Sequence, residues 1–105
     1  MNHFVAILVC AAFLGASTAL AAYPDRPIKL IVPWAAGGDT DVIYRTLQPH
    51  FQKHFGNTVV IANVGGASGT KGAKEAKDSP ADGYAIFAMH DSIHSTYYTG
   101  VADVN

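Results

Sequence analysis

Apolar residues in this chain come in short blocks that alternate between two periodicities. Ile28-Lys29-Leu30-Ile31-Val32-Pro33 is apolar at nearly every position and rich in β-branched side chains, the pattern of a strand covered on both faces, and Pro33 ends it. A Gly-rich turn, Ala36-Gly37-Gly38, leads into Asp39-Thr40-Asp41, residues suited to capping a helix. Ile43, Leu47, Phe51 and Phe55 then recur every fourth residue, with Val42 beside them. They predict a helix with one apolar stripe, stopped by Gly56-Asn57. Pro49 lies off the stripe, removes one backbone bond and is expected to kink the helix. Thr58–Ala62 reads as a second strand, Asn63–Gly69 as a second Gly-rich turn, and Thr70–Lys77 as a short helix with Lys71, Lys74 and Lys77 on a solvated face. Ser79–Gly83 is a turn, and Tyr84–Met89 is a third strand. The order βαβαβ predicts an α/β fold with a doubly wound parallel sheet. No clear periodicity organises His90–Asn105.

A different pattern precedes the first strand. Residues 1–22 contain no Asp, Glu, Lys or Arg, and Phe4–Leu14 is a continuous apolar run. Ala19-Leu20-Ala21 has the small-x-small spacing of a signal-peptidase site, so residues 1–21 are expected to be a secretory signal and residues 22–105 the mature chain. The run falls short of the roughly 20 residues that span a bilayer. Cys10 sits inside it and reads as one more apolar residue of the signal. The mature chain then has no cysteine and needs no oxidation after export, which suits a bacterial periplasm.

Composition narrows the function classes. With 105 residues the chain makes one small domain at most. Seven Lys+Arg against eight Asp+Glu leave a net charge of −1, so the phosphate-neutralising term of nucleic-acid binding is not supplied. A single cysteine excludes a disulfide framework and a multi-cysteine metal site. Three strands and two crossover helices make half an open sheet, and the chain is expected to be the front of a longer protein.

In a parallel sheet every strand-to-helix loop emerges at one edge, and ligands bind there. The loops are Trp34–Asp41, Asn63–Gly69 and His90–Ser95. The first two are Gly-rich and precede helix N-termini, where free N–H groups favour an anion. For either loop alone, glycines that merely shape a tight turn explain the pattern equally well. Two loops of one design on one edge favour binding. Phosphate motifs are absent: Gly69-Thr70-Lys71-Gly72 is not a P-loop, no glycine triplet fits the dinucleotide fingerprint, and Gly66-Ala67-Ser68-Gly69-Thr70 misses the nucleophile elbow at its last position. A small organic anion such as a carboxylate remains. The i,i+4 pairs His90/His94 and His50/His54 read as loop and solvated residues, so neither a metal nor a cofactor is expected. No nucleophile–base–orienter set is evident, and Trp34 fits a core position and a lid over a ligand equally well.

These residues together resemble the Bug receptors, the solute-binding proteins of tripartite tricarboxylate transporters. The resemblance rests on Tyr23-Pro24-Asp25-Arg26-Pro27-Ile28, on Ile31–Gly38 followed by Asp41, Arg45 and Leu47, and on Val59-Val60-Ile61 leading to Asn63, Gly66-Ala67, Gly69 and Gly72. Pro80 and Asp82-Gly83-Tyr84 extend it over nearly the whole mature chain. Val64-Gly65 and Ser68 depart from it, since the family commonly carries Arg-Pro and Gly there. The resemblance implies a non-catalytic periplasmic receptor of two α/β lobes, of the type II-like binding-protein architecture, with this chain forming part of the first lobe. It implies a pincer of two Gly-rich loops on a ligand carboxylate and delivery to a membrane permease. By position it assigns ligand contacts to Trp34, Ala36, Gly37, Gly66, Ala67, Ser68 and Gly69, with His90 and Ser92 as further contacts and Asp41 ordering the first loop. The alternatives are a secreted hydrolase-like enzyme fragment using Ser68 or a histidine, and a truncated fragment without function.

Overall fold

The computed structural model describes residues 22–100. The expected signal, residues 1–21, lies outside the described residues, as do the last five. The chain folds in the order β1 (Ile28–Val32), α1 (Asp39–Phe55), β2 (Val59–Asn63), a 3₁₀ turn (Ala67–Gly69), α2 (Thr70–Asp78), β3 (Ala85–Phe87) and α3 (Ser92–Tyr98). The strands form one parallel sheet in the order β2-β1-β3. The predicted βαβαβ core is therefore present, with strand ends displaced by one or two residues.

Parallel pairing sets side chains in register on common faces. Leu30 lies between Ile61 and Ile86, and Ile28 is opposite Val59. With Val32 and Ala88 these residues build the core, and Tyr44, Phe51 and Phe55 of α1 pack on it. On the other face Ile31 is fully buried, and α2 approaches through a Lys29–Glu75 ion pair and through Gly72 against Pro33. That face is covered less completely. A hollow of about 980 Å³ opens between α2 and α3 over Phe87, Met89 and Tyr97.

Helix α1 corrects the predicted stripe. Ile43, Leu47 and Val42 are 56%, 39% and 54% exposed. Phe51 and Phe55 pack on the core as the stripe predicts, but in the first half of the helix the inward positions are Tyr44 and Gln48, one residue and so about 100° further round than Ile43 and Leu47. The reason lies in the neighbouring strand. β2 is at the sheet edge, and the outward amide and carbonyl of Val59 need partners. Gln48 Nε2 donates to the Val59 carbonyl at 2.6 Å, and Gln52 Oε1 accepts from the Val59 N–H at 3.1 Å. Two glutamines turned inward outweigh two aliphatic side chains. The helix runs on through Pro49 and ends at Gly56 in the left-handed conformation. The segment without legible periodicity contains α3, whose inward side is carried by Ile93 and Thr96.

Candidate functional site

All three strand-to-helix loops leave the sheet at its carboxyl edge, and the first two touch. The Val64 N–H donates to the Val32 carbonyl at 2.8 Å. A Cβ built on Gly65 would stand 3.5 Å from the Ala35 nitrogen and the Trp34 carbonyl carbon. One built on Gly69 would meet Trp34 Cζ2 at 3.4 Å. The glycines thus let one loop lie against the backbone and indole ring of the other.

The first loop is held by Asp41, not by a side chain at the helix N-cap. The N-cap is Gly38, which has no side chain to cap with, so the expected capping by Asp39 and Thr40 does not occur. Asp41, the third residue of α1, reaches back past the N-cap to accept the Gly37 N–H at 2.8 Å. The same oxygen, Oδ2, accepts from Arg45 Nε at 2.8 Å, and Oδ1 accepts from Asn63 Nδ2 at 2.9 Å. The buried carboxyl is pulled down to about 2 by the Arg45 hydrogen bond first, then by the Gly37 amide and Asn63. Asn63, at the end of β2, also donates to the Trp34 carbonyl at 3.2 Å and accepts from the Arg45 guanidinium at 3.2 Å. One amide side chain therefore ties loop one, loop two and α1 together.

The second loop winds left-handed. Gly66, Ala67, Ser68 and Gly69 have φ of 128°, 46°, 53° and 91° in succession. Two non-glycine residues in that region are strained, and such strain persists only where surroundings impose it. Here the Gly69 N–H returns to the Gly66 carbonyl at 3.1 Å, and Thr96 of α3 donates its hydroxyl to the Ser68 carbonyl at 3.3 Å. The backbone N–H groups of Ala36, Ala67 and Ser68 meet no acceptor among the described residues. They are the free donors that an anion site needs.

The third loop adds a ring. His90 stacks on Trp34 with centroids 4.0 Å apart and planes 13° from parallel. Trp34 is thereby half-buried between His90 and Gly69, joining two loops rather than filling the core. Ser92, which begins α3 instead of lying in a longer loop, donates its N–H to His90 Nδ1 at 3.2 Å. Trp34, Gly69, His90 and Ser92 are thus brought together, with Ser68 beside them through Thr96. Ala36, Gly37, Gly66 and Ala67 are exposed on the two loop tips, while Asp41 is turned inward as a positioning residue. Asn63 and Arg45 carry part of the resemblance but receive no role from the sequence, and Thr96 is not singled out by it. The i,i+4 spacing of Asp41 and Arg45 carries a signal for one of them. Among the described residues no His/Cys/Asp/Glu group is arranged to hold a metal, and no helix is long and apolar enough to cross a membrane.

No family model matches the chain. Protein BugT of Bordetella pertussis is 38% identical over 88 residues, 84% of this chain and 27% of that protein. A TctC solute binding protein from Polaromonas superposes with a TM-score of 0.72 at 33% identity, over 77% of this chain and 28% of that one. The protein Rpa4515 of R. palustris, solved with adipate, superposes with a TM-score of 0.59 at 37% identity, over 62% of this chain and 22% of that one. The chain spans about a quarter of the length of the curated relatives it matches.

Proposed function

We propose that this chain, which belongs to the Bug family of periplasmic solute-binding proteins, supplies the glycine-loop half of a carboxylate-binding cleft. Residues 1–21 direct export, and residues 22–105 form the beginning of the first lobe. The captured solute is a small organic carboxylate, and it passes to the membrane permease of a tripartite tricarboxylate-type transporter. Backbone amides of Ala36, Gly66, Ala67 and Ser68 bind the carboxylate. Trp34, Gly37, Gly69, His90 and Ser92 shape the pocket, and Asp41 holds the first loop. The observation that carries this reading is the abutment of the two loops, with Asn63 bonded to both Asp41 and the Trp34 carbonyl. The free amides of Ala36 on the first loop and of Ala67 and Ser68 on the second are the donors that such a carboxylate would accept from. The adipate-bound relative adds support, because adipate is a dicarboxylate.

Calorimetric titration of the purified gene product with mono-, di- and tricarboxylates, adipate among them, tests the proposal. Saturable heat and a raised melting temperature are expected for at least one of them. No heat and no thermal shift across the panel would refute it. The hydrolase alternative predicts that Ser68→Ala abolishes turnover of an ester by the wild type; the receptor reading predicts no turnover to abolish.

A further inference from the structure

We infer that Lys71 is the charged partner of the captured solute: its ammonium pairs with the anion held on the second Gly-rich loop. The inference rests on the carboxylate reading above for its ligand, though not for the isolation of this cation.

The chain has seven lysines and arginines. Arg26, Lys29, Arg45 and Lys74 are already committed, to Asp82, Glu75, Asp41 and Asp78. Helices α1 and α2 start at the carboxyl edge of a parallel sheet and run back, so their last turns lie at the opposite edge. Lys53 and Lys77 stand in those last turns, where a cation suits the negative end of a helix. Lys71 is the one that remains. It is the second residue of α2, at the edge where the Gly-rich loops emerge. Among the described residues no carboxylate stands within ion-pair distance of it.

This is the wrong end of a helix for a cation. A helix N-terminus carries partial positive charge, which repels a lysine unless an anion offsets it. The first turn of α2 has no acidic residue to do so, and no side chain caps it. Helix α1, starting from the same edge, opens with Asp39 and Asp41. A charge set against its local field, with nothing in the chain to balance it, is expected where function overrides local preference.

Contacts place that charge on the second loop. The Lys71 N–H approaches the Gly66 carbonyl at 3.5 Å, and a Cβ built on Gly66 would lie 3.5 Å from Lys71 Cδ and 3.8 Å from Lys71 Cβ. The aliphatic stem therefore lies over Gly66, which has no side chain to displace it. The ammonium is two bonds beyond Cδ, which keeps it within about 10 Å of the Ala67 N–H, a Debye length at about 0.1 M salt. Ala67 and Ser68 carry the free amides of this loop, and both are exposed, as are Gly66 and Lys71. A carboxylate accepting from those amides lies in the field of the ammonium. Amides alone also serve the oxygen of a neutral ester; a full positive charge favours the ionised acid.

Lys71→Met keeps the unbranched stem over Gly66 and removes the charge, and Lys71→Arg keeps the charge. The purified gene product is titrated calorimetrically with adipate, or with the tightest binder of the carboxylate panel in its place, in about 20 mM and about 500 mM NaCl. At the lower salt Lys71→Met is expected to bind about three- to fivefold more weakly than wild type, the size of an exposed ion pair, and Lys71→Arg to stay within about twofold of wild type. At the higher salt the three proteins converge. Without ligand, Lys71→Met is expected to melt a few degrees above wild type, because it removes a cation from the positive end of α2. Weaker binding by a more stable protein is an outcome that a merely structural lysine would not give. A Lys71→Met protein that binds like wild type at the lower salt, or that melts below it without ligand, overturns the inference and leaves the carboxylate reading standing. Failure of the wild type to bind any carboxylate of the panel at either salt overturns both.

Discussion

Replacing Gly72 by alanine sets two effects of known sign against each other. Gly72 is buried in α2, and a Cβ built on it lies 2.7 Å from Pro33 Cβ, 2.8 Å from Pro33 Cα and 2.9 Å from the Val64 carbonyl oxygen. Carbon atoms prefer to be about 3.5–4.0 Å apart, so α2 would have to retreat by roughly 1 Å. None of the three atoms belongs to a side chain that can rotate away: two are on a proline ring and one is backbone. Overpacking of this kind costs about 1–3 kcal/mol. Against it stands helix propensity, which favours alanine over glycine by about 1 kcal/mol in a helix interior and by less in the first turn, where residue 72 lies. The clash should win by about 1–2 kcal/mol. Urea denaturation of the gene product, followed by Trp34 emission and far-ultraviolet circular dichroism, measures the difference. Gly37→Ala is the reference. It meets no atom within 4 Å but has φ of 84°, so it should cost about 1 kcal/mol through backbone strain alone. Gly72→Ala should also weaken carboxylate binding, because Pro33 and Val64 are the stems of the two Gly-rich loops. A Gly72→Ala protein as stable as wild type, or more so, would refute the close approach of α2 to the first loop.

Three further outcomes follow from single contacts. Asp41 is depressed to about 2 from an ordinary 3.8, so its ionised form favours the folded state above about pH 4 and that contribution disappears as the pH falls towards 2. Asp41→Asn should flatten the melting-temperature profile across that window; a variant that differs from wild type by a constant amount throughout would show that the Asp41 network is not formed. Ser68→Gly relieves a left-handed residue at about 1–2 kcal/mol and loses about 0.5–1 kcal/mol to unfolded-chain entropy, so a gain of about 0.5–1 kcal/mol is expected in denaturant titration. Destabilisation would mean that the second loop is not wound as described. Tyr84 donates its hydroxyl to the Asp25 carboxylate, which raises its ionisation above the usual 10. The stability it contributes is complete below pH 10 and lost as the pH climbs through the raised value. Tyr84→Phe should remove this alkaline slope in melts from pH 9 to 11, and an unchanged slope would count against the contact.

The architecture was legible where one physical demand dominates. β1 has to be buried on both faces, and an unbroken run from Ile28 to Val32 has few other uses. Gly56 and Gly69 mark turns because the backbone takes positive φ there. Legibility failed where two demands compete. Ile43 and Leu47 have the right spacing for an inward stripe, but the open edge of Val59 requires Gln48 and Gln52 to face it, and periodicity alone does not register an edge strand. Helix α3 escaped notice because seven residues with only Ile93 and Thr96 buried generate no stripe. Capping was misplaced for a related reason. Asp39, Thr40 and Asp41 are all good caps, and only the fold shows that Asp41 bonds Gly37 from inside the helix.

That the two Gly-rich loops share one edge could be read from the sequence, whereas which of their amides are left free could not. Parallel topology alone sends the loops after Val32 and Asn63 to one edge, so strand order locates the site before any side chain is considered. The donors proposed for it are backbone amides, which every residue possesses, and no residue type advertises them. What the sequence encodes instead is support: Asp41 on Gly37, Asn63 on Trp34, Thr96 on Ser68, and Gly72 where nothing larger fits. In the proposed site these residues fix where the amides stand and leave the ligand to the loops. Replacing them should therefore weaken binding of every carboxylate by a similar factor. The side chains that front the loops are Trp34, Ser68 and His90, and substitutions there should instead reorder affinities among carboxylates. Affinity profiles over the calorimetric panel separate the two groups: parallel losses for Asn63→Ala, and a changed rank order for Trp34→Phe. If Asn63→Ala reordered the panel while Trp34→Phe scaled it uniformly, the division between scaffold and reading surface would be reversed.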